Sequence, residues 1–252
     1  MRAARAEELK GSSPWDTLQQ SLLRLGEVVP RMQPTWHAES IAELTPAFFE
    51  HHRLRAAIWD VDGTLMSHHG SEVAPSIAPA FWKLVEAPRL RHVILSNAPT
   101  SRFAQLGRLF PDIPILRLYR LNADVVPQRL HRGASSLSQG DLDALRVAGA
   151  VVLRKPNAAL VEFALQELQC GASEALTIGD QLTTDVAGAR MAHVRALKVA
   201  TIAPDSFPFT VRSAQRLERV VYALRYGLRR SQCGGVSTPM DQAIARNGRS
   251  QT

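Results

Sequence analysis

Six short apolar runs separated by helical patterns leave this chain few ways to fold. Ala56–Trp59 ends in Asp60, His92–Leu95 ends at Ser96-Asn97, and Ala175–Ile178 ends at Gly179-Asp180. Ile113–Leu118, Ala150–Leu153 and Ala196–Ile202 repeat the design. An apolar run of four to seven residues closed by polar or glycine residues reads as a buried strand running into a loop. Helical patterns lie between them at Pro79–Glu86, Ser101–Phe110, Ala158–Leu168 (stopped by Gly171) and Asp185–Ala192. This alternation predicts βαβ units, and strands apolar on both faces predict a parallel sheet covered by helices on each side. The expectation is an α/β fold of three layers. In such sheets the ligand site lies at the carboxyl ends of the strands, where the polar residues just named fall.

Two stretches escape the rhythm. Residues 1–50 are mixed and interrupted by prolines, with a short helix expected around Trp15 to Leu25 from the spacing of Leu18, Leu22, Leu23 and Leu25. Residues 120–149 contain Pro127, Gly133, Ser135-Ser136 and Gly140 before a helical patch at Asp141 to Val147. They read as a long loop forming a small insertion near the site. The main domain is expected over 51–230, and the Gly-, Ser-, Gln- and Asn-rich tail over 231–252 is expected to be disordered.

The chain has 252 residues, 45% hydrophobic and 21% charged, which is ordinary for a folded globular protein and excludes a largely disordered one. Thirty basic residues face 23 acidic ones, for a formal charge of +7. Only Lys10, Lys83, Lys155 and Lys198 are lysines. An arginine-rich surface favours phosphorylated or anionic partners without naming one. Cys170 and Cys233 are far apart and form no metal-ligand pattern, which fits a reducing compartment. Met1 to Gly11 carries charges with no apolar stretch behind them, so no signal peptide is expected, and no run of about 18 apolar residues predicts a membrane span.

The chemistry concentrates at the strand ends. Asp60-Val61-Asp62-Gly63-Thr64 sets two carboxylates two residues apart. If Asp60 attacks phosphorus, Asp62 can protonate the leaving oxygen and then activate water. Close carboxylates repel, and a divalent cation relieves the repulsion; magnesium suits oxygen ligands beside a substrate phosphate. Asp180 and Asp185 supply further carboxylates to bind the metal and tie down its surroundings. Lys155, after the fourth run, can neutralise charge that develops during transfer. Ser96 and Asn97 offer a hydroxyl and an amide to phosphate oxygens. Singly, several of these residues would read as ordinary turn or helix-start residues. Their appearance in order, each near a strand end, is what makes coincidence improbable.

These ordered residues resemble the four motifs of the haloacid dehalogenase (HAD) superfamily. The segment Gly179-Asp180-Gln181-Leu182-Thr183-Thr184-Asp185-Val186 is similar to that of the subfamily IIIA phosphatases called YqeG-like, a group related to the phosphatidylglycerophosphate phosphatases. The resemblance spans roughly residues 30–226. It implies a Rossmannoid sheet, with Asp60 as nucleophile and metal ligand, Asp62 as general acid and base, and the main-chain carbonyl of Asp62 as a further ligand. It implies that Asp180 and Asp185 complete a Mg2+ site and that Ser96 and Lys155 hold the phosphoryl group, with Asn97 and Thr64 supporting them. An acid two residues after the nucleophile argues for a phosphatase rather than a dehalogenase. The stretch from Tyr119 to Gly149 departs from the compact members of the subfamily. His68-His69, soon after the first motif, reads as a solvated loop pair.

The partners that follow are a phosphorylated small molecule or a lipid headgroup, with nucleic acid not expected. A soluble phosphatase for a nucleotide, sugar phosphate or protein is the second enzymatic reading, and a non-catalytic polyanion-binding protein is the reading from another class. Four mutually repelling acids argue against the last. Val211, Ala214, Leu217, Val221, Leu224 and Leu228 recur at spacings of three and four, predicting one apolar stripe on a helix rich in arginine (Arg212, Arg216, Arg219, Arg229, Arg230). Such a helix can pack on the sheet or meet an anionic membrane. The expected location is the cytoplasm, with peripheral contact at the inner face of the membrane.

Overall fold

The computed structural model describes residues 25–227. The helix expected over 15–25 (apart from Leu25), Lys10, Leu228, Arg229, Arg230, Cys233 and the tail from Ser231 lie outside the described residues. The chain runs through α1 (Leu25–Val28), β1 (Trp36–Ala38), α2 (Pro46–His51), β2 (Ala56–Trp59), α3 (Ala78–Val85) and β3 (Arg91–Leu95). It continues with α4 (Thr100–Leu109), β4 (Ile115–Leu121), β5 (Asp124–His131), β6 (Ala134–Ser135) and α5 (Gln139–Val147). Then come β7 (Val151–Val152), α6 (Ala158–Leu168), β8 (Ala175–Gly179), α7 (Ala187–Met191), β9 (Arg195–Val199) and α8 (Phe209–Tyr226).

The strands form one sheet in the order β1-β9-β8-β2-β3-β4-β5-β6, parallel from β1 through β4. This is the α/β architecture the alternation predicts. The pleat of β2 explains its layers: Ala57 and Trp59 point into one core with Phe81, Leu84, Phe103 and Leu106 of α3 and α4. Ala56 and Ile58 point into the other, with Leu160, Val161, Ala164 and Leu168 of α6 and with Ala187 and Ala189 of α7. Both faces of the strand are dry, so every residue of β2 is buried and its backbone is held in register by β3 and β8.

Several expectations change. The run at Ala150–Leu153 is not a parallel strand of the sheet's rhythm. Its two-residue β7 is antiparallel to β4, pairing Val152 with Tyr119 and Val151 with Arg120. The cause is length: β4 outruns β3, whose pairing stops at Leu116, and β7 takes up backbone groups that would otherwise be left unpaired on that edge.

Residues 120–149, read as a long loop before a helical patch, are mostly strand ahead of that helix. Strand β5 returns along β4 over seven residue pairs, from Leu121↔Asp124 to Ile115↔Leu130. The hairpin to β6 then turns at Arg132-Gly133, both at positive φ. Pro127 is tolerated because β6 pairs only with Leu130 and His131, leaving β5 an edge strand at the proline. Helix α5 opens on a Ser138–Asp141 capping box and packs Leu145 with Tyr119 and Ala150 in a third small core.

Within the segment read as mixed, Trp36–Ala38 forms the edge strand β1 against β9, and Phe48 and Phe49 of α2 enter the main core. The run from Ala196 leaves the sheet after Val199. Helix α6 matches its expected bounds, but it ends at Gln169, which takes the left-handed conformation (φ 49°), before Gly171 is reached.

A further change concerns α8. Val211, Ala214 and Val221 are half-buried, whereas Leu217 and Leu224 are exposed, so the predicted stripe does not face one surface. The buried positions of the helix are Gln215 and Glu218.

Candidate active site

The site sits at the carboxyl ends of β2, β3 and β8. Asp60 follows β2, and its main-chain N–H donates to Ile178 O at 3.0 Å. Lys155 is the hub. Its Nζ lies 2.6 Å from Asp60 Oδ1 and 2.6 Å from Asp185 Oδ1, and it donates to Leu95 O at 2.9 Å. Thr64 Oγ1 donates to Asp60 Oδ2 at 2.9 Å, so both oxygens of Asp60 are oriented.

Lys155 arrives from β7, with a cis peptide to Pro156, and its main chain is gripped by Asn97. Asn97 Oδ1 accepts from Lys155 N at 2.7 Å, and Asn97 Nδ2 donates to Lys155 O at 3.1 Å. The two halves of the Asn97 amide are therefore used on Lys155. Ser96 Oγ accepts from Ala98 N at 3.2 Å.

Asp180 and Asp185 come from β8 and the turn after it. The expected helix from Asp185 begins instead as a π-helical turn, Leu182–Val186, which runs into α7. Gln181 N donates to Asp185 Oδ2 at 3.1 Å, folding the carboxylate back onto the strand end. This approach requires glycine at position 179, because a Cβ there would lie 2.3 Å from Asp185 Cγ. Gly63 is held at φ 93°, and a Cβ on it would come within 2.8 Å of Asp180 Oδ2.

The electrostatics follow from burial. Asp60 is pushed up to about 7, chiefly by loss of solvent; Lys155 opposes the shift and Asp185 adds to it. Burial, with Asp60 and Asp185 nearby, raises Asp180 well above the usual carboxylate range. Burial pulls the Lys155 ammonium down, but Asp185 and Asp60 outweigh it and hold the group above its ordinary value. Lys155 stays charged.

Carboxylate oxygens of Asp60, Asp180 and Asp185 lie within 4.8 Å of one another. Asp180 Oδ1 is buried with no hydrogen-bond partner. The three carboxylates together could hold a metal ion. An oxygen-only donor set with an unpartnered buried oxygen fits magnesium.

Asp62 stands apart from these three. Its Oδ1 accepts from Arg102 NH2 at 2.8 Å and from the main-chain N–H of His69 at 3.1 Å. Arg102 itself is 2% exposed and also donates to Gly70 O at 2.7 Å. His68 is half-buried and stacks on Phe207 at 4.7 Å, so the histidine pair is not simply a solvated loop. Sequence reasoning missed Arg102, Gln215 and Glu218. Gln215 Nε2 donates to Asp180 Oδ2 at 3.3 Å. Glu218 Oε1 accepts from Leu182 N at 2.8 Å and its Oε2 from Thr183 N at 2.9 Å. A lone acid in an otherwise basic helix was the available signal for Glu218.

A family model described as HAD-hydrolase-like matches residues 152–202, the stretch that holds Lys155, Asp180 and Asp185. No curated protein matches the chain. Among solved structures it is similar to an uncharacterized protein from Listeria monocytogenes serotype 4b, at 20% identity over 62% of this chain and 85% of that one, with a TM-score of 0.38. It is also similar to a hypothetical protein from Xanthomonas campestris, at 16% identity over 82% of this chain and 97% of that one, with a TM-score of 0.28. The family match covers about a fifth of the chain and makes that stretch similar to the HAD-like hydrolases, within a fold whose sheet is mostly parallel and flanked by helices.

Proposed function

We propose that the chain is a magnesium-dependent phosphomonoesterase acting through an aspartyl-phosphate. The observation that carries this reading is Lys155 held at 2.6 Å from both Asp60 and Asp185, with the buried Asp180 oxygen left unpartnered beside them. A carboxylate fixed by a lysine and a threonine is built to be aimed, and a cation would offset the repulsion among the clustered carboxylates.

In the first step an Asp60 oxygen bonds to phosphorus, the ester P–O bond breaks, and the leaving oxygen takes a proton from Asp62. In the second, Asp62 takes a proton from water, the hydroxide bonds to phosphorus, and the acyl phosphate P–O bond breaks to free phosphate and restore Asp60. General acid and base work of this kind contributes typically 10²- to 10⁴-fold. Lys155 neutralises charge on the phosphoryl oxygens as it moves between attacking and leaving groups. Thr64 fixes Asp60, Asn97 fixes Lys155, and Ser96 completes the cradle. Asp60, Asp180, Asp185 and the carbonyl of Asp62 would hold the metal. Bound magnesium supplies charge that screens these carboxylates and polarises the phosphoryl oxygens.

For substrate we infer a phosphorylated lipid headgroup of the phosphatidylglycerophosphate type. The likeness of residues 179–186 to YqeG-like phosphatases supports it. So does the outer face of α8, where Phe209 (69%), Leu217 (49%), Val220 (54%) and Leu224 (82%) are exposed beside Arg212, Arg216 and Arg219. No helix among the described residues is long and apolar enough to cross a membrane.

Turnover of p-nitrophenyl phosphate and of phosphatidylglycerophosphate with Mg2+, before and after chelation, tests the proposal. Hydrolysis that stops with EDTA and returns with Mg2+ is the expected result. No turnover of either compound, or full activity after exhaustive chelation, would overturn it.

A further inference from the structure

Helix α8 lies apart in the chain from the strands that carry the site, yet it reaches one of the three clustered aspartates and the turn that carries another. Gln215 and Glu218 are three residues apart and therefore share one helix face. Both are 6% exposed. This buried face is polar, although a helix that covers a sheet normally buries an apolar one.

The polar face has defined partners. Leu182 and Thr183 open the π-helical turn, where main-chain N–H groups have no partner within the turn. Glu218 takes both, at 2.8 and 2.9 Å, and takes the Thr183 hydroxyl at 2.5 Å. One carboxylate thus caps the turn that carries Asp185. Nearly one turn before it, Gln215 donates to Asp180 Oδ2, and Oδ1 is the oxygen left unpartnered. With Oδ2 taken by Gln215, Oδ1 is the Asp180 oxygen that would be left for a cation.

We propose that Gln215 and Glu218 are positioning residues that set the metal affinity of the site. Helix α8 holds Asp180 and the turn that carries Asp185, and through them Gln215 and Glu218 would act on the cation. This rests on the reading that Asp60, Asp180 and Asp185 hold Mg2+. Groups that orient metal ligands commonly account for 10- to 100-fold in affinity.

The test is Mg2+ binding to the substrate-free full chain by titration calorimetry, for wild type, Gln215→Leu, Glu218→Gln and Asp180→Asn, with far-UV circular dichroism as the check on folding. The expected result is Mg2+ binding about 10- to 100-fold weaker in Gln215→Leu and Glu218→Gln with native circular dichroism. The apparent KM for Mg2+ should rise more than kcat at saturating Mg2+ falls, and Glu218→Asp should recover part of the affinity. If Glu218→Gln does not fold, Gln215→Leu decides. Wild-type affinity in the folded variants, alongside lost binding in Asp180→Asn, would overturn this proposal alone. No Mg2+ binding to the wild type would overturn the reading of the metal site and this proposal with it.

Discussion

Asn97 holds Lys155 by its main chain, accepting from Lys155 N at 2.7 Å and donating to Lys155 O at 3.1 Å. The clasp imitates a pair of sheet hydrogen bonds where β3 has ended, and it fixes the point from which the lysine side chain reaches Asp60. Replacing Asn97 by alanine removes both bonds, each worth about 0.5–1.5 kcal/mol. The expected outcome is a loss of about 1–3 kcal/mol in a denaturant titration together with a fall in kcat. A variant as active and as stable as wild type would show that the clasp is incidental.

Asp60 and Asp62 have different surroundings and should fail differently. Asp60→Asn keeps the shape of the side chain but removes the nucleophile, so turnover of p-nitrophenyl phosphate should vanish while circular dichroism stays native. Asp62→Asn should retain a residue of activity, lowered on the order of 10²- to 10⁴-fold. Rapid-quench trapping of a phosphorylated protein in Asp62→Asn but never in Asp60→Asn would separate the two roles. Wild-type-like rates from pure Asp60→Asn protein would end the mechanism.

The buried carboxylates make a signed prediction for stability in chelator. A folded-state value of about 7 for Asp60 lies above its unfolded value. Its protonated form therefore favours the fold at low pH, and that contribution is lost as pH rises through about 7. Asp180 shifts in the same direction. His92, lowered to about 4 by burial, acts the other way, since the fold loses stability as acid charges the ring. Comparing variants separates them: in EDTA, the Tm advantage of Asp60→Asn over wild type should grow from about pH 4 to about pH 7, and Mg2+ should reverse it at the upper end. A pH-independent difference would contradict the burial argument.

The outer face of α8 can be tested with vesicles. Leu217, Val220 and Leu224 follow one another at spacings of three and four, and arginines border them. The protein should co-sediment with phosphatidylglycerol vesicles at low salt and be released as salt rises. The triple change of Arg212, Arg216 and Arg219 to glutamine should weaken binding by roughly 3 kcal/mol, at about 1 kcal/mol per basic residue near an anionic surface. Failure to bind at low salt would leave a phosphatase for soluble substrates.

The sequence by itself determined the strand cores, the span of α6, and the order in which Asp60, Asp62, Ser96, Asn97, Lys155, Asp180 and Asp185 occur. These are local or periodic signals: apolar runs, a change of period, polar residues at run ends. Tertiary structure decided which of those residues meet. Lys155 reaches Asp60 across 95 positions of sequence, from a strand that runs opposite to the one expected, because β4 is longer than β3. Arg102 binds Asp62 only once α4 packs beside the first loop. Helix α8 was misjudged for the same reason. Periodicity says which residues share a helix face, but the surface that face meets decides what is buried. Here that surface is a set of main-chain N–H groups without partners in their own turn and a carboxylate, so Gln215 and Glu218 turn inward and the leucines turn out.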